Sequence, residues 1–322
     1  MDTHSGKRSD VMPAFDPGAG SKVWSAPDVG YGHWAGAPSV DYSPEEGYAL
    51  YYRLRRPRNK GRGGECGIAR SRDGKTFENV WTCTKDDIGA KSIEKGAIVR
   101  LPNGRWRLYL SYELAEPYDR NPATWRIDVV DADTIEGLDP GLMRTVLDPG
   151  QFGLDFIKDP SVSIVGGRFL LYASVGVAKS QIERPSEFAP YPRGHAMLFT
   201  SHDGIEFSPG RIVLSRPRDA WDGLQQRITG VVHNGTSWWA FYDGARSRAE
   251  AYDEFSGLAT GWSPDSFESL SPRAPWVLSP HASGSVRYVD GVIVDGQLQL
   301  FYEMAVNEGH HDLYHASLDL RP

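Results

Sequence analysis

Three carboxylates, Glu94, Asp159 and Asp290, stand at or near the start of similar β-branched runs that lie far apart in the chain. Brought together, like charges push at least one pKa up, leaving a protonated acid beside an ionised one. That arrangement suits general acid–base chemistry or the holding of a cation. Other groups with chemistry occur at matching positions. Arg227 precedes Thr229 by two residues, Arg287 and Tyr288 precede Asp290, and His33-Trp34 lies among Gly30, Gly32 and Gly36. The arginines offer forked donors to hydroxyls or to a carboxylate. Each acid also has a plain structural use. Asp159 before Pro160 suits strand capping, Glu94 suits an ion pair with Lys95 or an arginine, and Asp290-Gly291 is a turn dipeptide. Asp243 and Glu303 suit pairing with nearby arginines.

The elements that must carry these residues repeat. A small or carboxylate residue, a β-branched run, a Gly or Asn turn and an aromatic run ending in Tyr recur five times, from Ala37, Gly96, Asp159, Thr229 and Asp290. Starts roughly 60 to 70 residues apart, each followed by more strand-like sequence, predict radially arranged four-stranded sheets. The expected fold is all-β, a five-bladed β-propeller. Its first strands line a central channel, so an inner ring forms from His33–Ala37, Glu94–Gly96, Asp155–Asp159, Arg227–Thr229 and Arg287–Asp290. The second strands return to the same face and place Arg53, Arg55, Tyr112, Glu113, Ser174, Asp243 and Glu303 around it.

A second hairpin completes most repeats, signalled by alternation broken at Asp-Gly or Pro-Asp. These start at Gly67, Ala196 and Leu258, with a looser version at Trp125. The last repeat ends at HDLYHASLDLRP and lacks a fourth strand. The segment Lys22–Ser25 is expected to supply it, closing the ring. Residues 1–322 read as one domain, with 1–20 irregular. The linkers Lys179–Arg193 and Ala245–Phe255 read as loops over one face that line or cover a site.

Composition narrows the function. With 35 Gly, 22 Pro and 10 Trp, the chain suits many short strands. A net charge of −7 gives no footprint for nucleic acid or an anionic membrane. The N-terminus has no apolar h-region and no long apolar run follows, so no membrane partner and a cytoplasmic location are expected. Cys66 and Cys83 lie about equally far from the turn at Asp73-Gly74, which predicts a cross-strand thiol pair, with a disulfide the lesser alternative. Glu308 to Asp312 with His315 lacks a clear third ligand on a strand, so no metal site is assigned. No phosphate loop, nucleophile elbow or dinucleotide fingerprint is present.

Asp159-Pro160-Ser161-Val162 followed by Gly-Gly-Arg-Phe-Leu-Leu-Tyr resembles the blade opening of the five-bladed propeller glycosidases, the arabinanase/xylosidase and invertase-like groups. The Ser-x-Asp-Gly-x-x-Phe turns at Ser71 and Ser201 are similar to theirs. The resemblance implies a base or nucleophile on the first blade, a carboxylate tuning pKa on the third, and a general acid on the fourth. Asp159 matches the third-blade residue, whereas Ala37 and Thr229 stand where the base and acid would be. If the acids have moved to the second and fifth blades, the catalytic set is Glu94 as acid, Asp290 as base activating water, and Asp159 orienting substrate hydroxyls. Carboxyls on non-adjacent blades favour the wider separation of about 6.5–9.5 Å, hence inversion. His33, Trp34, Tyr112, Arg227, Asp243, Arg287, Tyr288 and Glu303 are the expected substrate contacts, the aromatic ones as faces for sugar rings. The expectation is glycosidase-like hydrolysis of a small glycoside or furanoside. The alternatives are non-hydrolytic acid–base chemistry on a small metabolite and a non-catalytic sugar-binding propeller. No cofactor is expected, and a central cation such as calcium is compatible with the ring.

Overall fold

In the computed structural model, residues 11–114, 125–177 and 193–321 are described. Their regular structure is almost entirely strand, in five antiparallel sets of four. The first set is β2 (Trp34–Ser43), β3 (Gly47–Arg55), β4 (Gly63–Ser71) and β5 (Glu78–Thr84). Next come β6 (Ala90–Arg100), β7 (Trp106–Leu114), β8 (Trp125–Ala132) and β9 (Arg144–Leu147). The third set is β10 (Leu154–Val165), β11 (Arg168–Val177), β12 (Gly194–Ser201) and β13 (Arg211–Leu214). The fourth is β14 (Gln225–His233), β15 (Trp238–Ala245), β16 (Phe255–Ser263) and β17 (Ser266–Ser269). In the last, β18 (Val286–Val294), β19 (Gln297–Ala305) and β20 (His311–Asp319) are joined by β1 (Ser21–Trp24), which pairs with β20. Two single parallel bridges, Trp34 to His311 and Gly194 to Gln225, tie neighbouring sets into larger sheets.

Local chemistry explains the hairpins. Gly166-Gly167 and Asp295-Gly296 all have positive φ, as tight turns between right-twisted strands require. The two Ser-x-Asp-Gly turns share one hydrogen-bond scheme. The Ser71 hydroxyl donates to Asp73 and accepts Gly74 N–H, and Asp73 accepts the N–H groups of Lys75 and Thr76. Ser201 and Asp203 do the same for residues 204 to 206.

Each set packs on the next through its own apolar core, including the last set on the first, where Phe301 and Leu313 meet Ala35, Tyr48 and Leu50. The first strands follow the same cycle: β2 packs on β6, β6 on β10, β10 on β14, β14 on β18, and β18 on β2. The tyrosines that close the second runs fasten these contacts. Tyr51 donates to Glu94 O, Tyr109 to Gly204 O, Tyr172 to Pro264 O and Tyr302 to Pro17 O, at 2.6 to 2.9 Å. Cys66 and Cys83 face each other across β4 and β5, and both are free thiols.

Candidate active site

The first strands are not regular. Each breaks register near its middle: between Gly36 and Ser39, Ile93 and Gly96, Lys158 and Ser161, Ile228 and Gly230, and Arg287 and Asp290. Such bulges bend a strand and re-aim side chains. Three of them hold a non-glycine residue in the left-handed region: Ala37 (φ 51), Asp159 (φ 56) and Tyr288 (φ 52). Arg62, in the β3–β4 loop, is a fourth (φ 51). Each costs of order 1–3 kcal/mol, and such strain collects at functional sites.

What the bulges hold together is a buried ion cluster. Arg53 donates to Glu94 at 3.0 Å, and Arg62 bridges Glu94 and Glu113. Arg227 donates to Asp159 at 3.0 Å and to Asp243 at 2.7 Å. Arg287 donates to Glu303 at 2.7 Å and also to Glu254. The Tyr288 ring sits among the guanidiniums of Arg227, Arg287 and Arg53, at 4.0, 5.2 and 5.4 Å from its centre. His311 Nδ1 lies 2.8 Å from Glu303, and its Nε2 lies 3.3 Å from Asp253. Lys95 Nζ donates to Pro160 O, while its N–H donates to Asp159.

The arginines decide the protonation states. Burial alone would raise Glu94, but Arg62, Lys158 and Arg53 outweigh it and bring the carboxyl down to about 2. Asp159 is held below the ordinary range in the same way, burial being outweighed by Lys158 and Arg227. Glu303 is also held low, burial being outweighed by Arg287 and His311. Burial pushes Asp243 up to about 6 against the pull of Arg227. Its oxygens are filled by that arginine and by Tyr288 N–H, so it acts as a clamp on the bulge.

Asp290 lies elsewhere. It lines a channel of about 510 Å³ shared by the later halves of all five first strands, with Val40, Ile98, Ser161 and Val231. Its oxygens accept Val40 N–H and Gly291 N–H. Burial raises it to about 6, with Lys95 opposing. The structure therefore brings Glu94 and Asp159 into one ion cluster and sets Asp290 in the channel beside it. The two environments differ: arginines hold Glu94 ionised, while burial makes Asp290 the more readily protonated of the two.

The expected sugar-stacking faces are also occupied. Guanidiniums of Arg287 and Arg55 lie 4.4 and 4.8 Å from the Trp34 ring centre, and Tyr288 is ringed by arginine. Tyr112 is buried, its hydroxyl donating to Asp128 and accepting from Arg126. His33 is buried at the entry to β2, with Nδ1 3.3 Å from Gly30 O. Thr229, at the fourth bulge, spends its hydroxyl on Val289 O.

Sequence reasoning missed Arg62, Asp253 and Glu254 as members of the cluster, and placed Lys95 and Lys158 in the inner ring without giving them a part in the site. For Asp253 and Glu254 a signal existed, since they fall in the linker Ala245–Phe255 already expected to line the site. Arg62 reaches its acids only through a left-handed backbone that no composition reveals. The other linker, Lys179–Arg193, lies outside the described residues except for its last position. Among the described residues, no group of three metal-ligating side chains could hold a metal ion.

No protein-family model matches the chain, and no curated protein sequence matches it. Solved structures do. A GH43_1 enzyme from Xanthomonas citri, complexed with xylotriose, superposes with a TM-score of 0.63 at 13% identity, over 94% of this chain and 90% of that one. A glycosyl hydrolase from Bacteroides ovatus gives 0.63 at 12%, over 98% and 97%. The β-1,2-mannobiose phosphorylase from Listeria innocua, complexed with β-1,2-mannobiose, gives 0.60 at 13%, over 97% and 93%. At such identities the likeness is one of fold: the chain shares its architecture with glycoside hydrolases and phosphorylases over nearly its whole length.

Proposed function

We propose that the five sets are the blades of a propeller closed by β1, and that the chain is a carbohydrate-active enzyme of the glycosidase type working from the buried ion cluster. One observation carries this reading: carboxylates from separate blades are held ionised beside strained bulges, in a fold shared with sugar-cleaving enzymes. Cleavage of a glycosidic bond passes through an oxocarbenium-like state, which fixed negative charge stabilises. Glu94 supplies that charge, and Asp159 orients hydroxyls. Glu303, held ionised, is assigned as the base that takes a proton from the attacking water, and the departing oxygen is protonated by solvent. The Oε2 of Glu303 has no hydrogen-bond partner among the described residues, while Oε1 meets His311. His311 in turn meets Asp253, and Tyr31 beside Asp253 is 60% exposed. Together they line a route from Glu303 toward solvent. Asp290 takes no part in this scheme.

Turnover of a panel of aryl glycosides tests the assignment. Glu94→Gln and Glu303→Gln should each lose about 10²–10⁴-fold in kcat, the usual worth of such groups, whereas Asp290→Asn should lose less than about tenfold. The reverse order would sink it.

A second reading keeps the cluster but dispenses with water attack: acid–base isomerisation, cyclisation or dehydration of a small metabolite. It is favoured by Ala37 and Thr229, which put no titratable group at the bulges of β2 and β14. Turnover in ¹⁸O-labelled water separates the two, because only hydrolysis places the label in the product.

A further inference from the structure

We infer that the site is built to seat an anionic group, a carboxylate carried by the substrate, on Arg55. The inference deepens the proposed function, on which the sugar nature of the ligand rests. Five arginines are buried among the described residues: Arg53, Arg55, Arg107, Arg227 and Arg287. Four form ion pairs, with Glu94, Asp131, Asp159 and Glu303. Arg55, only 6% exposed, has ring faces in place of acids: its guanidinium lies 4.8 Å from the Trp34 ring centre and 4.9 Å from that of Tyr252. Among the described residues, none pairs with it or accepts a hydrogen bond from it.

A buried charge without a counter-charge in contact is costly, and here Glu94, the acid that acts on it, is already paired with Arg53 and Arg62. Burial lowers Arg55 to about 10; Glu94 opposes the shift, and Arg53, Arg62 and Arg287 add to it. Other donors nearby are unused: Arg53 Nη2 and Trp34 Nε1 are buried without a hydrogen-bond partner among the described residues. A hydroxyl would satisfy donors but leave the charge. A carboxylate answers both, because its two oxygens match the guanidinium fork. A neutral sugar ring gains little at this spot, since the Trp34 ring is already covered by guanidiniums. Inorganic phosphate offers similar oxygens, so the experiment must separate it from a carboxylate on the substrate.

Calorimetric binding of glucuronate, glucose and inorganic phosphate to the full chain does so. Glucuronate should bind roughly tenfold or more tightly than glucose, as one charge-assisted hydrogen-bonded pair allows. Arg55→Gln should erase the preference, and Arg55→Lys, which keeps charge but loses the fork, should weaken it. The Lys variant carries the test if the Gln variant fails to fold. Equal affinities, a preference that survives both substitutions, or phosphate binding alone would each overturn the inference. Because binding is read without turnover, a preference in a protein that cleaves no glycoside sinks the proposed function and not the anion site; cleavage of neutral glycosides without any preference does the opposite.

Discussion

Glu303 keeps its place because residue 36 has no side chain. A Cβ on Gly36 would fall 2.1 Å from Glu303 Oε2 and 2.5 Å from its Cγ, far inside contact distance. The carboxylate thus packs on bare backbone of the adjacent first strand, with its other oxygen tied to Arg287 and His311. Gly36→Ala must push the side chain off this seat. Overpacking of this kind costs about 1–3 kcal/mol, so the variant should still fold. Its kcat should nevertheless drop by more than about tenfold, since the proton-transferring group is displaced. Circular dichroism with kinetics checks both halves, and wild-type turnover in a folded Gly36→Ala protein would show that the Glu303 seat is dispensable. The acids themselves were readable, because each stands beside a repeat landmark. Their partners were not. Which arginine neutralises which carboxylate is settled by the meeting of different sheets, so the sequence allows Glu94 an arginine partner without naming it, and the structure supplies Arg53 and Arg62.

At the level of elements, the last sheet depends on the chain's beginning. β20 is covered on one side by β1, with Ser21 opposite His315 and Trp24 opposite Leu313. Side chains reinforce the pairing. Trp24 packs on Tyr52 with ring centres 4.4 Å apart, Phe15 packs edge-on to Tyr302, and Tyr302 donates to Pro17 O. Removing residues 1–25 would bare the backbone groups of β20 along an edge flanked by apolar side chains, a template for pairing with another chain. The truncated protein should therefore melt at a lower temperature and elute as dimers or larger species in size-exclusion chromatography; an unchanged monomer would mean that β1 merely decorates the sheet. This element was legible, since three strands in the last repeat leave one to be found. So were the hairpin turns, where Gly166-Gly167 and Asp295-Gly296 announce their positive φ. The bulges were not, because Ala37 and Tyr288 carry no preference for the left-handed region they occupy. Only the packing of neighbouring sheets holds them there.

Taken whole, the molecule buries two populations of acid with opposite pH behaviour. Glu94, Asp159 and Glu303 sit in the arginine cluster and are held below their ordinary values. Their ionised forms favour the folded state, so their contribution is present above the ordinary carboxylate pKa and is lost as pH falls through the native values. Asp290 and Asp41 line the channel shared by the first strands, Asp243 lies in the arginine cluster, and burial raises each from 3.8 to about 6. For these three the folded protein binds protons more tightly than the unfolded chain. Stability therefore declines as pH rises from the ordinary value to about 6, and past it the buried charge is carried in full. The two populations oppose each other, which places the maximum of the melting temperature near about pH 4–5, on the acid side of the usual range. Melting curves at intervals from about pH 3 to about pH 8 measure the shape, and variants assign its limbs. Glu94→Gln should flatten the acid limb, where the wild type loses an ionised carboxylate. Asp290→Asn should flatten the decline above it, because an amide accepts Val40 N–H without ever acquiring the charge. A curve that climbs steadily to neutral pH, or an Asp290→Asn protein whose decline is as steep as the wild type's, would show that Asp290 is solvated well enough to ionise at its ordinary pKa.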